Sequence, residues 1–140
     1  MDSTVETIIV DNNGCNDRSF TVLNLTRFVN LKVFEVGDFS FSYVNEVHMI
    51  GLPELERVMI GENCFSQCKD VFYANPSGEL YVKDCDKLRE LRIAESSFIS
   101  YVSCVIEDNA RLEVVEMGQL YEWGYNFFYA SLEMKSCYDD

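Results

Sequence analysis

The side chains of this sequence that are best suited to chemistry are its six cysteines and its single histidine. Cys64 and Cys68 form a C-x-x-x-C pair, a spacing that occurs in zinc sites. A tetrahedral zinc ion needs two further ligands, and no second cysteine or histidine pair follows at a comparable spacing. The sequence therefore predicts no metal site.

His48 is the one imidazole that could serve as a general base near neutral pH. Nucleophilic catalysis would also require a cysteine or serine beside it and a third group to orient the ring. His48 stands between Val47 and Met49 in an alternating segment, so we expect it to point away from these apolar neighbours, toward solvent. A solvated strand residue is the simpler interpretation, and we predict that the protein is not an enzyme. A hydrolytic or carbohydrate-binding activity that uses exposed carboxylates and tyrosines is a weaker alternative.

Acidic residues dominate the charge of the chain, with 24 Asp and Glu against 11 Lys and Arg and a net charge of −13. Such a surface repels phosphate backbones, which argues against nucleic acid as a partner. The sequence has neither an apolar run of about 20 residues nor a basic, apolar leader, so we expect no membrane insertion. It also lacks a glycine-rich phosphate loop, and we expect no cofactor. These features favour a cytoplasmic location, although composition does not assign the compartment.

A repeat accounts for the spacing of most apolar residues. Four stretches have apolar residues at their first, fourth and sixth places: LKVFEVGDFSF from residue 31, LERVMIGENCF from 55, LRELRIAESSF from 88 and LEVVEMGQLYEW from 112. Glycine follows at the seventh place in three copies and alanine in the other, and an aromatic residue closes each copy. With a degenerate copy at residue 5, the anchors lie 26, 24, 33 and 24 residues apart, a period near 24 with one insertion near 66–79. A period in the twenties is typical of solenoids.

Each copy also contains a second alternating segment upstream of its anchor, with apolar residues eight and six places before it. Alternation predicts strands, and a coil of this length buries its apolar edge only by stacking on the next coil. The sequence therefore predicts a mainly β fold with little helix. We expect one solenoid domain over residues 1–140, built from about five stacked coils with parallel strands.

Several segments resemble a known repeat family. LYVKDCDKL and CVIEDNARL are similar to the leucine-rich-repeat pattern L-x-L-x-x-N/C-x-x-L. IGENCF and IAESSF resemble the glycine and small-residue-Phe signature of BspA-like leucine-rich repeats. The resemblance covers about residues 5–137 and implies a curved leucine-rich-repeat solenoid that serves as a scaffold for recognition. The chain departs from the family pattern in having two strand-like segments per coil.

The repeat gives three cysteines a packing role: Cys104 occupies an inward strand position, and Cys85 and Cys137 lie at equivalent turns. Cys64 occupies the small position before the closing Phe. Asn109 takes the place of Cys85 one coil later, where its amide could satisfy free backbone N–H and C=O groups. Because these positions are structural, we expect reduced thiols rather than disulfide bonds.

Residues between the inward anchors should align into outward columns across the coils. The columns on the upstream segments mix charged with apolar and aromatic side chains, whose exposure is typical of an interaction surface. We predict a non-enzymatic module that binds a protein or peptide through Asn24, His48, Ile50, Tyr81, Lys83, Val105 and Glu107. The downstream segments form comparable columns, but the Asn-like turn follows the upstream segment in the family that the chain resembles. The alternative is a structural segment of a longer array, with end-to-end self-association.

Overall fold

The computed structural model describes residues 4–66, 78–99, 101–118 and the strand at 131–135. These parts of the chain form ten strands and no helix. The strands are β1 (Thr7–Val10), β2 (Val22–Asn24), β3 (Val33–Val36), β4 (Glu46–Ile50), β5 (Arg57–Ile60), β6 (Gly78–Lys83), β7 (Glu90–Ile93), β8 (Tyr101–Glu107), β9 (Val114–Met117) and β10 (Ser131–Lys135). The predicted insertion near 66–79 falls mostly outside the described residues. Within those residues, no helix is long and apolar enough to cross a membrane.

The strands form two parallel sheets, one from the odd-numbered strands and one from the even-numbered strands. The register joins Phe34 to Val58 and Val58 to Leu91, residues that the repeat alignment equates. Each turn of the chain adds one strand to each sheet. About four turns separate the first strand of a sheet from its fifth, so the fold is a β-solenoid of about four turns. The predicted mainly β solenoid with parallel strands is confirmed.

Inward side chains from both sheets form one hydrophobic core. Leu55, Leu80 and Leu91 are fully buried, and burial alternates residue by residue along β6. Burial of one such side chain contributes about 1.5–3 kcal/mol. A ladder of these residues therefore stabilises each coil against its neighbours.

The turns after β3, β5 and β7 use left-handed backbone. Phe41, Phe65 and Phe98 have φ angles of 55°, 54° and 60°, a region that bulky residues rarely adopt. Their rings form a buried ladder, with centroids 4.9 Å apart between Phe41 and Phe65 and 4.6 Å apart between Phe65 and Phe98. The stacking energy and the buried area offset the cost of the backbone conformation.

The repeat glycines Gly37 and Gly61 directly follow strands, but neither has a positive φ, so they do not themselves form left-handed bends. They are required because the preceding coil lies close: a Cβ on Gly37 would lie 2.6 Å from the Asn12 nitrogen, and one on Gly61 would lie 3.0 Å from the Asp38 nitrogen. The bends come from the left-handed residues that follow.

Candidate functional site

The seven residues of the predicted face lie together on the outer side of the even-numbered sheet. In register, Asn24 pairs with His48 and His48 pairs with Tyr81. Tyr81 pairs in turn with Val105, which completes one column. The second column runs from Ile50 to Lys83 and from Lys83 to Glu107. The predicted columns are confirmed, while their binding role stays a prediction.

Side chains on this face pair with one another. The His48 ring stacks on Tyr81 with centroids 5.3 Å apart, and its Nε2 lies 3.0 Å from a carboxylate oxygen of Glu46. The Tyr81 hydroxyl donates to Glu79 at 2.9 Å, and this hydrogen bond is the main reason why the pKa of the phenol is raised. The aromatic pair is thereby held in a defined orientation on a half-buried surface.

A second pair lies beside the aromatic one. Lys83 Nζ lies 3.4 Å from a carboxylate oxygen of Glu107 in the next coil. Both side chains are partly shielded from solvent, so this ion pair is screened less than a fully exposed one. The face therefore presents mostly satisfied polar groups around the apolar side chains of Ile50 and Val105.

The buried cysteines are poor nucleophiles. Cys64, Cys85 and Cys104 are fully buried, and burial raises the pKa of their thiols to about 11, 11 and 12. Nucleophilic attack and metal binding both require the thiolate, which burial disfavours. Among the described residues no three potential metal ligands come together, and the described cysteines are not bonded to one another. Cys68 lies outside the described residues.

The small position before the closing Phe carries a hydrogen-bond ladder. The Ser97 hydroxyl donates to the Gly61 carbonyl at 2.7 Å and accepts from the Cys64 N–H at 3.0 Å. One coil earlier the Cys64 thiol donates to the Gly37 carbonyl at 3.0 Å. This position therefore joins neighbouring coils, which confirms the structural role expected for Cys64.

The turn after β8 has a comparable link. The Asn109 amide oxygen accepts from the Cys85 N–H at 3.0 Å, and its Nδ2 donates to the Val82 carbonyl at 2.9 Å. Both partners belong to the preceding coil. The expectation that Asn109 satisfies free backbone groups is confirmed.

An open groove lies over the odd-numbered sheet, on the opposite face of the solenoid from the predicted residues. It has a volume of about 960 Å³ and follows one column of outward side chains in strict register. The column consists of Ile9, Glu35, Met59, Arg92 and Glu116. Two of these residues are exposed apolar groups: Ile9 is 65% exposed and Met59 is 38% exposed.

The groove is acidic. Its lining contains five acidic residues and one arginine, and the acidic residues are Asp11, Glu35, Glu62, Glu95 and Glu116. Arg92 already forms ion pairs with Glu116 and, at 3.6 Å, with Glu90. Within the described parts of the chain, Asp11, Glu62 and Glu95 belong to no ion pair. The strand ends along the groove therefore carry uncompensated negative charge.

The repeat alignment places Glu35, Met59, Arg92 and Glu116 in one downstream column but indicates neither Ile9 as its first member nor a groove along it. The available signal was the column of repeat glycines, because Gly37, Gly61 and Gly118 line the groove directly after the ends of β3, β5 and β9. Positions without side chains leave a recess beside the outward residues. The alternation of apolar and charged side chains at Ile9, Glu35 and Met59 was the second signal.

Comparison with known proteins adds no relative. No family model, no curated protein and no solved structure matches the chain. The fold is therefore described by its architecture, a parallel-strand β-solenoid of stacked coils with two outer faces.

Proposed function

We propose that this chain is a non-enzymatic recognition module of the BspA-like leucine-rich-repeat type, which binds a protein or peptide through the outer faces of its sheets. The observation that carries the proposal is the exposure of Ile9 and Met59 in an open groove. Exposed apolar side chains that face the same recess, with polar groups around them, are typical of interaction sites. A partner that covers them removes apolar surface from water.

The disposition of reactive groups supports binding rather than catalysis. The buried thiols of Cys64, Cys85 and Cys104 have raised pKa values, and His48 stacks on Tyr81 beside a carboxylate. Catalysis needs a nucleophile or a base that faces a bound substrate. The groove is open and is lined by carboxylates, one arginine and apolar side chains, an arrangement that suits the binding of a partner along its length.

The experiment compares two faces of the same molecule. Immobilised wild-type protein, an Ile9→Ser/Met59→Ser variant and a Tyr81→Ala/Ile50→Ala variant are incubated with native extract, and bound proteins are quantified by mass spectrometry. Circular dichroism first establishes that both variants fold.

A protein that is captured by the wild type and lost from one variant supports recognition and identifies the binding face. Its dissociation constant is then measured with purified components. Identical sets of captured proteins for all three baits would contradict the proposal for both faces.

End-to-end self-association is a second candidate, because inward apolar residues at both ends of the described odd-numbered sheet are incompletely covered. Val58 and Leu91 in the middle strands are fully buried, whereas Ile8 in β1 and Val115 in β9 are only partly buried. Stacking of a second copy on either end would cover them. Sedimentation equilibrium over a wide concentration range tests this: a mass that rises with concentration supports stacking, and a constant monomer mass rejects it.

A further inference from the structure

We propose that the groove over the odd-numbered sheet binds a basic, extended peptide segment of a partner protein that carries an apolar side chain between its cationic ones. The inference rests on the proposed recognition function and assigns the chemistry of the partner. It concerns the groove column of Ile9, Glu35, Met59, Arg92 and Glu116 and the acidic residues beside it.

Charge complementarity indicates a cationic occupant. Glu62 and Glu95 both line the groove, two residues after the ends of the adjacent strands β5 and β7. Within the described residues neither carboxylate forms an ion pair. The single arginine of the lining, Arg92, is already held by two carboxylates. A lysine or arginine side chain of a partner would place positive charge where the chain leaves negative charge unpaired.

The apolar part of the groove indicates a mixed rather than a purely cationic segment. Met59 lies in the register column between Glu35 and Arg92, and its side chain is exposed. A thioether side chain adapts to ligands of different shape. An apolar side chain of the peptide would cover Met59 while its cationic neighbours reach Glu62 and Glu95, which form no ion pair within the described residues.

The dimensions of the sheet fit a short extended segment. Five parallel strands that lie about 4.8 Å apart span about 19 Å from β1 to β9. An extended chain covers about 3.3 Å per residue, so about six residues cross the sheet. The groove is open along its length, which allows the segment to continue beyond both ends.

Other occupants fit less well. The net charge of −13 disfavours both a nucleic acid and a second, equally acidic copy of this chain in the groove. A basic peptide gains from the field of the whole molecule as well as from the groove, so the test must separate a general electrostatic attraction from binding at this site.

The probes are three synthetic peptides of about ten residues. The first is lysine-rich with one central leucine, the second replaces this leucine with serine, and the third replaces the lysines with glutamate. Binding to the full chain is measured by isothermal titration calorimetry at two salt concentrations. We expect the first peptide to bind most tightly, the second more weakly and the third not at all.

Matched variants locate the site. Glu62→Gln/Glu95→Gln removes two charges from the groove, and Glu56→Gln/Asp86→Asn removes two exposed charges outside it. The groove variant should weaken the first peptide about fivefold, and the control should leave it unchanged. Equal weakening by both variants would show that the peptide senses only the general charge, and this would overturn the proposal.

Met59→Ser tests the apolar contact in the same way. It should weaken the leucine peptide about fivefold and leave the serine peptide unchanged, because only leucine covers the thioether. Equal effects on both peptides, or no binding of the leucine peptide to the wild type at low salt, would also overturn the proposal. Capture of a partner through Tyr81 and Ile50 with both groove variants unaffected would reject this inference while leaving the recognition function standing.

Discussion

The ring of Phe65 lies parallel to the ring of Phe98 in the next coil, with centroids 4.6 Å apart and an interplanar angle of 6°. Both residues have left-handed backbone and both are fully buried. Stacking and burial therefore hold a conformation that a bulky residue otherwise avoids. The Phe65→Ala variant should lower the free energy of unfolding by about 3–5 kcal/mol, as measured by urea denaturation, because it removes a buried ring from the middle of the ladder.

Phe39 provides the control for backbone conformation. It has a φ of 58°, close to that of Phe65, but its side chain is 53% exposed. Phe39→Ala should change the free energy of unfolding by less than about 1 kcal/mol. Comparable losses at both positions would indicate that the left-handed turn, rather than ring burial, determines the effect.

Ser97→Ala should destabilise the protein by about 1–3 kcal/mol, because the buried Cys64 N–H and the partly buried Gly61 carbonyl would lose the Ser97 hydroxyl as a partner. Ser97→Cys should cost less, since Cys64 itself makes the equivalent thiol contact to the Gly37 carbonyl. Thermal unfolding of both variants and of the exposed Ser19→Ala control measures the difference. If the alanine variant unfolds at the wild-type temperature, the hydrogen-bond ladder contributes little, and if the alanine and cysteine variants unfold at the same lower temperature, a thiol does not replace the hydroxyl at position 97.

Asn109→Ala should increase the exchange of one backbone amide more than it changes global stability. The Cys85 N–H donates to the Asn109 side chain, so its exchange with deuterium should become faster than that of neighbouring core amides. Amide exchange followed by nuclear magnetic resonance provides the measurement. A uniform increase at all core amides would instead mean that the substitution only lowers global stability.

Much of the fold could be predicted because the repeat equates residues of adjacent coils. Once Leu55 and Leu88 are recognised as equivalent anchors, parallel stacking fixes the register of His48 with Tyr81 and the burial of Cys104. The alternation within each segment then separates inward from outward side chains. These features depend on spacing along the chain, which the sequence contains.

Other features depend on distances between coils, which spacing does not specify. The role of Gly37 follows from the close approach of the Asn12 backbone, and the groove beside Met59 follows from the glycines at the strand ends. The pairing of His48 with Glu46 and of Tyr81 with Glu79 depends on rotamers within the face. For this reason the sequence predicts the outward columns, but the binding face that it favours lies on the even-numbered sheet, opposite the groove.

Stability should fall at alkaline pH because of the buried thiols. Burial raises the pKa of Cys104 to about 12 in the folded protein, whereas an unfolded cysteine ionises near pH 8.5–9. The contribution is fully present below the unfolded pKa and is lost as the pH rises toward the folded pKa, because the unfolded state releases its proton first. Between pH 9 and 10.5 this single thiol should lower the free energy of unfolding by about 1.5 kcal/mol.

Urea denaturation at both pH values, with wild type and Cys104→Val compared, isolates this contribution from that of tyrosines and lysines. The variant should lose less stability over this range than the wild type, and an equal loss in both proteins would show that the Cys104 thiol does not contribute to the pH dependence.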